Sequence, residues 1–313
     1  MNTPTKLAAF AVGLAVLFAA GFGVGAAFGP GPVEPVAHGG DHDTDREGTA
    51  RPDTGASEAG GLTATDGDHT LVLDDPVVSA GQATDLRFRI LTSEGVPLTR
   101  YTTSHEKDLH LIVVRRDLTG YRHLHPVLDD TGTWSTPLEA LRGGDYRVYA
   151  DFTPGDGAAT TLGADLHVAG DYDPRSLPAA AASTSVDGYD IALDGTARAG
   201  RTSELTFTIT RDGAPVTDLE PHLGAYGHLV ALRADDLGYL HVHPAGHPGD
   251  GSTDPGPDIG FGVTVPGAGN YRLFLDFRHE GVVRTAEFTL TAEGTVAAET
   301  PSDTESDTDG HGH

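Results

Sequence analysis

Cysteine is absent from the 313-residue sequence, and Met1 is its only methionine. The first absence excludes disulfides, zinc-thiolate clusters, cysteine nucleophiles and thiolate-ligated blue-copper centres, and the second excludes a thioether-rich copper(I) site. Basic residues are scarce: lysine occurs only at Lys6 and Lys107, and the formal net charge is -26. Nucleic-acid phosphates and anionic lipid headgroups would be repelled by that charge, and no basic cluster offsets it, so neither is an expected partner. Much of the acid sits near the ends, at Asp41, Asp43, Asp45, Glu47, Asp53 and Glu58, then Asp303, Glu305, Asp307 and Asp309. Such segments are read as solvated spacers. Helical periodicity is missing outside the N-terminus. Any metal chemistry must therefore rest on histidine and carboxylate.

What is present is one unit written twice. Each copy carries His-x-His-Pro, at His123 to Pro126 and at His241 to Pro244. Counting back from each proline, Tyr121 matches Tyr239, Asp117 matches Asp235, Arg115 matches Arg233 and His110 matches His228. Upstream, Leu86, Phe88 and Ile90 answer Leu205, Phe207 and Ile209; downstream, GDYRVYADF ending at Phe152 answers GNYRLFLDF ending at Phe277. Two units of this size are two domains rather than a solenoid.

Short alternating runs separated by Gly, Pro, Asp and Asn predict all-β domains: two tandem immunoglobulin-like, alternatively cupredoxin-like, β-sandwiches after an N-terminal hydrophobic helix. Tyr146 and Tyr271 stand where corner tyrosines stand in such folds. Residues 1–29 are read as a signal anchor or signal peptide, 30–68 as a disordered acidic linker and 69–169 as the first sandwich. Residues 170–187 are read as a second linker, 188–294 as the second sandwich and 295–313 as a disordered acidic tail. The apolar run Leu7 to Phe28 is 22 residues long and is flanked by Lys6. That length suits an uncleaved, N-inside anchor with the domains facing outward; a cleaved signal peptide, which would leave a secreted protein, is the alternative.

The histidines carry the chemistry. Folding 109–126 as a hairpin with Arg116 opposite Tyr121 puts Ile112 opposite His125 and Val114 opposite His123, so His110, His123 and His125 share one face. The same construction gathers His228, His241 and His243 in the second unit. In that register His110 reaches His125 but lies far from His123 along the ribbon. Two imidazoles from one strand and one from a neighbour can hold copper(II) or zinc with a coordination position open. His105, His222 and His247 are further candidates. The competing reading is that these imidazoles pack and hydrogen-bond while Pro126 and Pro244 end their strands.

The stretches SHEKDLHLIVVRRDLTGYRHLHP with GGDYRVYADF, and HLGAYGHLVALRADDLGYLHVHP with GNYRLFLDF, resemble bacterial exported or membrane-anchored proteins related to the YtkA-like group. The resemblance implies small envelope β-sandwiches, some associated with heavy-metal or copper handling. It places the family-like positions at His105, His110, His123 and His125, then His228, His241 and His243. The expected function is a non-enzymatic envelope protein that binds or senses copper or zinc; its protein partner is not indicated. The alternative is a structural or interaction module with packing histidines. A histidine-ligated metalloenzyme ranks last, since neither a G-x-S-x-G elbow nor an H-E-x-x-H helix occurs.

Overall fold

The computed structural model describes residues 59–155, 157–240 and 242–294. The Leu7 to Phe28 segment lies outside them, as do His241 and the histidines of the two terminal segments at 38, 42, 311 and 313. Among the described residues no helix is long and apolar enough to cross a membrane.

The chain folds as two all-β, immunoglobulin-like sandwiches. The first opens with β1 (Thr65–Asp66), β2 (His69–Leu73), β3 (Val77–Ser79), β4 (Thr84–Thr92), β5 (Tyr101–Thr102) and β6 (Leu109–Arg115). It closes with β7 (Arg122–Leu124), β8 (Val127–Leu128), β9 (Trp134–Leu138), β10 (Gly144–Pro154) and β11 (Thr160–Ala169). One sheet runs β1-β2-β4-β9-β8 and the other β3-β11-β10-β6-β7, with β5 also on β10.

The second sandwich holds β12 (Ser183–Val186), β13 (Tyr189–Asp194), β14 (Thr202–Arg211), β15 (Ala214–Pro215) and β16 (Gly227–Arg233). It continues through β17 (Tyr239–Leu240), β18 (Val242–Pro244), β19 (Asp258–Thr264), β20 (Gly269–His279) and β21 (Val282–Ala292). Its sheets run β12-β13-β14-β19-β18 and β17-β16-β20-β21. The corner tyrosines are as expected: the Tyr146 hydroxyl donates to the Arg142 carbonyl at 3.0 Å and that of Tyr271 to Gly267 at 2.8 Å.

Period-two burial builds each sandwich core. Leu86, Phe88 and Ile90 of β4 meet Leu111, Val113, Trp134 and Val148 in the first. Leu205, Phe207 and Ile209 of β14 meet Leu229, Ala231, Phe261 and Leu273 in the second. Every residue of β6 is nevertheless buried, because its outer face is covered too. Ile112, Val114, Leu118, Tyr121 and Tyr149 of the first repeat form a third core with Val230, Leu232, Leu237, Tyr239 and Phe274 of the second. The Tyr149 hydroxyl donates across this seam to the Leu237 carbonyl at 2.5 Å. The repeats are thus packed through the sheet faces that carry the histidines.

Leu118 and Leu237 occupy left-handed backbone, with φ of 61° and 65°, and both are buried in the third core. An L-residue there costs about 1–2 kcal/mol, against which burying a leucine side chain gains about 1.5–3 kcal/mol. The matched leucines also correct the alignment of the two turns. Arg115 pairs with Asp117, but Arg233 pairs with Asp236, so Asp236, not Asp235, is the counterpart of Asp117. The two turns are equally long, and the pairing aspartate stands one residue later in the second.

Both assigned spacers contribute to the fold. Part of 30–68 is built in: Gly60 and Tyr239 exchange backbone hydrogen bonds of 2.8 and 2.9 Å, and Gly61 N–H donates to Thr161 at 2.9 Å. Residues 60 and 61 therefore bridge the two repeats. Gly163 is required below this crossing, since a Cβ there would sit 1.9 Å from the Gly61 carbonyl oxygen. In 170–187, Arg115 donates to the Asp173 carbonyl at 2.9 Å, Arg175 N–H donates to Asp117 at 2.8 Å, and β12 already belongs to the second sandwich. Leu177 packs on the third core.

Candidate metal centre

His110 stands on β6 and His123 on β7, and their pairing decides what they can do. The observed register sets Leu111 opposite Leu124, Ile112 opposite His123 and Val113 opposite Arg122. This is two residues away from the register expected from sequence. An even slip keeps each side chain on its face, whereas a slip of one would have turned all of them over. The face was therefore right and the spacing wrong: His110 Nδ1 lies 3.2 Å from His123 Nε2. His125 joins them, and one ring nitrogen from each of the three lies within 4.8 Å of the others.

The hydrogen bonds of the outer nitrogens fix where the protons sit. His110 Nε2 is 3.1 Å from the Ser104 carbonyl, which can only accept, so Nε2 carries the proton and Nδ1 a lone pair. His123 Nδ1 is 2.8 Å from a carboxylate oxygen of Asp276 in the second repeat, which places a proton on Nδ1. In neutral imidazoles two lone pairs then face each other across 3.2 Å. His125 Nε2 is buried and has no hydrogen-bond partner. Carboxylate–histidine pairs of this kind orient metal-ligating rings in general. Asp276 is itself 4% exposed, and its second oxygen accepts from Thr285 at 2.5 Å.

The spacing suits one ion. With metal–nitrogen bonds of about 2.0–2.1 Å, two tetrahedral imidazole ligands have nitrogens about 3.3 Å apart and ring centres about 5.2 Å apart. The ring centres of His110 and His123 are 5.4 Å apart, those of His110 and His125 5.1 Å, and those of His123 and His125 4.8 Å.

Burial also keeps His110, His125 and His228 neutral. It is the largest cause that lowers His110 to about 3, the His123 ring adding to it, and that lowers His125 to about 2, helped by His123 and His110. His228 is lowered to about 4 by burial, then by His123 and His105. Each pKa is depressed from about 6.5 in the unfolded chain, so as pH falls through 6.5 the unfolded chain takes up protons that the folded one refuses. Stability is thus full above that pH and lost below it, at up to about 1.4 kcal/mol per pH unit per group. Urea unfolding of the metal-free protein should show a loss of a few kcal/mol between pH 7 and pH 5, on the scale of that slope. A flat profile would contradict the buried, neutral state.

The other expected ligands separate. His105 is exposed on the turn before β6, with ring centres 5.3 Å from His228 and 6.1 Å from His110. His228 lies at the rim of the cluster, 6.3 Å from both His110 and His123, and His222 is 6.4 Å from His125. His243 does not join. The chain leaves the histidine-bearing sheet after Leu240, and β18 pairs with β19 of the other sheet, where His243 is exposed opposite Gly262. His247 is exposed beside Asp250, at 3.9 Å. Sequence reasoning missed Asp276 and its repeat counterpart Asp151, although both end the repeated element as Asp-Phe. An aspartate standing just before the closing phenylalanine in both copies was the available signal.

Two face-to-face sandwiches with an imidazole triad at their seam, one ring buried and two half-buried, define the class. Residues 63–170 and 184–294 each match the family described as a domain of unknown function, DUF8832, and the chain belongs to that family. The match confirms the tandem repeat; it gives no link to YtkA-like proteins or to metal handling. No curated protein matches the sequence. Among solved structures, the Escherichia coli adhesin FdeC is 18% identical, covers 74% of this chain and 65% of its own, and has a TM-score of 0.23. Salmonella alpha-2-macroglobulin reacted with methylamine is 15% identical over 75% of this chain and 15% of its own, with a TM-score of 0.25. Surface layer protein SbsC, domains 4–9, is 12% identical over 72% and 31%, with a TM-score of 0.21. This chain spans less than two thirds of each, and likeness at this level carries nothing about function.

Proposed function

We propose that the protein is a non-enzymatic, outward-facing module of the cell envelope whose two sandwiches are joined at a histidine seam, and that the seam takes one copper(II) or zinc ion at His110, His123 and His125. The observation that carries this reading is the approach of His110 Nδ1 and His123 Nε2 to 3.2 Å, two facing lone pairs when His123 is neutral, beside the buried, unpartnered His125 Nε2. A cation between them relieves the repulsion and satisfies the third ring. The adjoining cavity, about 50 Å³, has room for a water molecule or two. Substrate pockets are larger, about 300–1,000 Å³, which supports a binding role over catalysis.

A second reading follows from the same contacts. If His123 carries protons on both nitrogens, it donates to His110 and to Asp276, and the seam is held by hydrogen bonds with no metal. Calorimetric titration of the full chain with zinc and copper(II) at pH 7 separates the two. The metal reading expects saturable binding at micromolar affinity or tighter; absence of heat and of any shift in melting temperature supports the hydrogen-bonded joint instead.

A further inference from the structure

His228 repeats the proton arrangement of His110. Its Nε2 lies 3.0 Å from the His222 carbonyl and 3.1 Å from that of Leu223, so Nε2 carries the proton and Nδ1 is a lone pair. Asp151, the counterpart of Asp276, lines the same cavity as His228 and His105.

His105 reaches this place at a cost. His105 and Glu106 have φ of 49° and 62° in the tight turn closed by Ser104 and Lys107. The matching turn of the second repeat puts Leu223 and Gly224 there, with φ of 54° and 75°. Left-handed backbone at two consecutive non-glycine residues is strained, and strain of this kind gathers where a side chain must be aimed. The turn holds the His105 ring centre 5.3 Å from that of His228 across the seam. Two imidazoles on one tetrahedral ion place their centres about 5.2 Å apart.

We infer that the interdomain cavity holds a second divalent metal ion, ligated by His105 of the first repeat and His228 of the second, with Asp151 in the wall and water completing the shell. Its ligands come from both repeats, so its occupancy ties the sandwiches together directly. This ion is additional to the one at the triad, and its ligands His105 and His228 stand outside that group.

Zinc bound per full-length chain, counted by equilibrium dialysis and elemental analysis, tests it. The wild type should bind two ions, His228→Ala one, and His105→Asn one. Asparagine tolerates left-handed backbone, so the His105 variant keeps the fold available if His228→Ala fails to express, and its metal-free melting temperature should not fall. A variant lacking His110, His123 and His125 should lose one ion and keep the other. A wild type that binds a single ion, lost in the triad variant and kept in His105→Asn, overturns the second site and leaves the first intact. Two ions retained by His105→Asn also overturn it.

Discussion

His125→Ala should abolish the high-affinity metal response and leave the metal-free protein as stable as before. The other two triad members cannot give so clean a result. His123 binds Asp276 of the opposite repeat at 2.8 Å, so removing it leaves that buried carboxylate short of a partner at a cost of about 1–3 kcal/mol; His110 is itself buried and gives up its hydrogen bond to the Ser104 carbonyl at 3.1 Å. His125 Nε2 has no such partner, so its truncation forfeits little beyond packing. Changes to groups behind the ligands already weaken metal sites about 10–100-fold, and loss of a ligand should exceed that. Zinc-induced melting shifts measured on wild type and variant decide the matter. A variant that keeps its zinc shift would refute the ligand assignment, and one that loses several degrees without metal would favour the hydrogen-bonded joint.

Phe274→Ala should cost about 3–5 kcal/mol, the range for deleting a fully buried aromatic side chain, and should split the unfolding of the protein in two. Phe274 is completely buried and stacks on Tyr121 of the other repeat, with ring centres 4.0 Å apart and planes at 5°. It belongs to the third core and to neither sandwich core, so its loss weakens the coupling and spares both domains. Calorimetry of the wild type should give one cooperative transition and the variant two. A single transition shifted by less than about 1 kcal/mol, the scale of ordinary surface substitutions, would show that the seam does not couple the repeats.

Much of this molecule was legible in its residues. The duplication, the all-β class, the corner tyrosines and most strands follow from alternation and from the two His-x-His-Pro signatures. Alternation does not mark β9 and β19, because Pro137 interrupts one and Gly260 and Gly262 thin the pattern of the other. The shared face of His110, His123 and His125 was legible as well, since it depends only on parity. Their spacing was not: it depends on buried leucines held in left-handed backbone, which local propensity opposes and the third core rewards. For the same reason the seam itself stayed hidden. Ile112, Val114, Val230 and Leu232 look like the outer face of a half-exposed strand until the second copy is laid over the first. His243 shows the opposite failure, where the matching motif leaves its sheet two residues earlier and its second histidine ends exposed.

The central claim concerns where protons and lone pairs sit on two rings, and nitrogen NMR of 15N-histidine-labelled protein reads both. At pH 7 without metal, His110 Nε2 and His123 Nδ1 should give protonated, pyrrole-type signals, and His110 Nδ1 and His123 Nε2 pyridine-type signals. One equivalent of zinc should move those two inner nitrogens and one of His125 to metal-bound positions, leaving the outer two unchanged. A His123 ring protonated on both nitrogens, with spectra that zinc does not alter, would contradict the account.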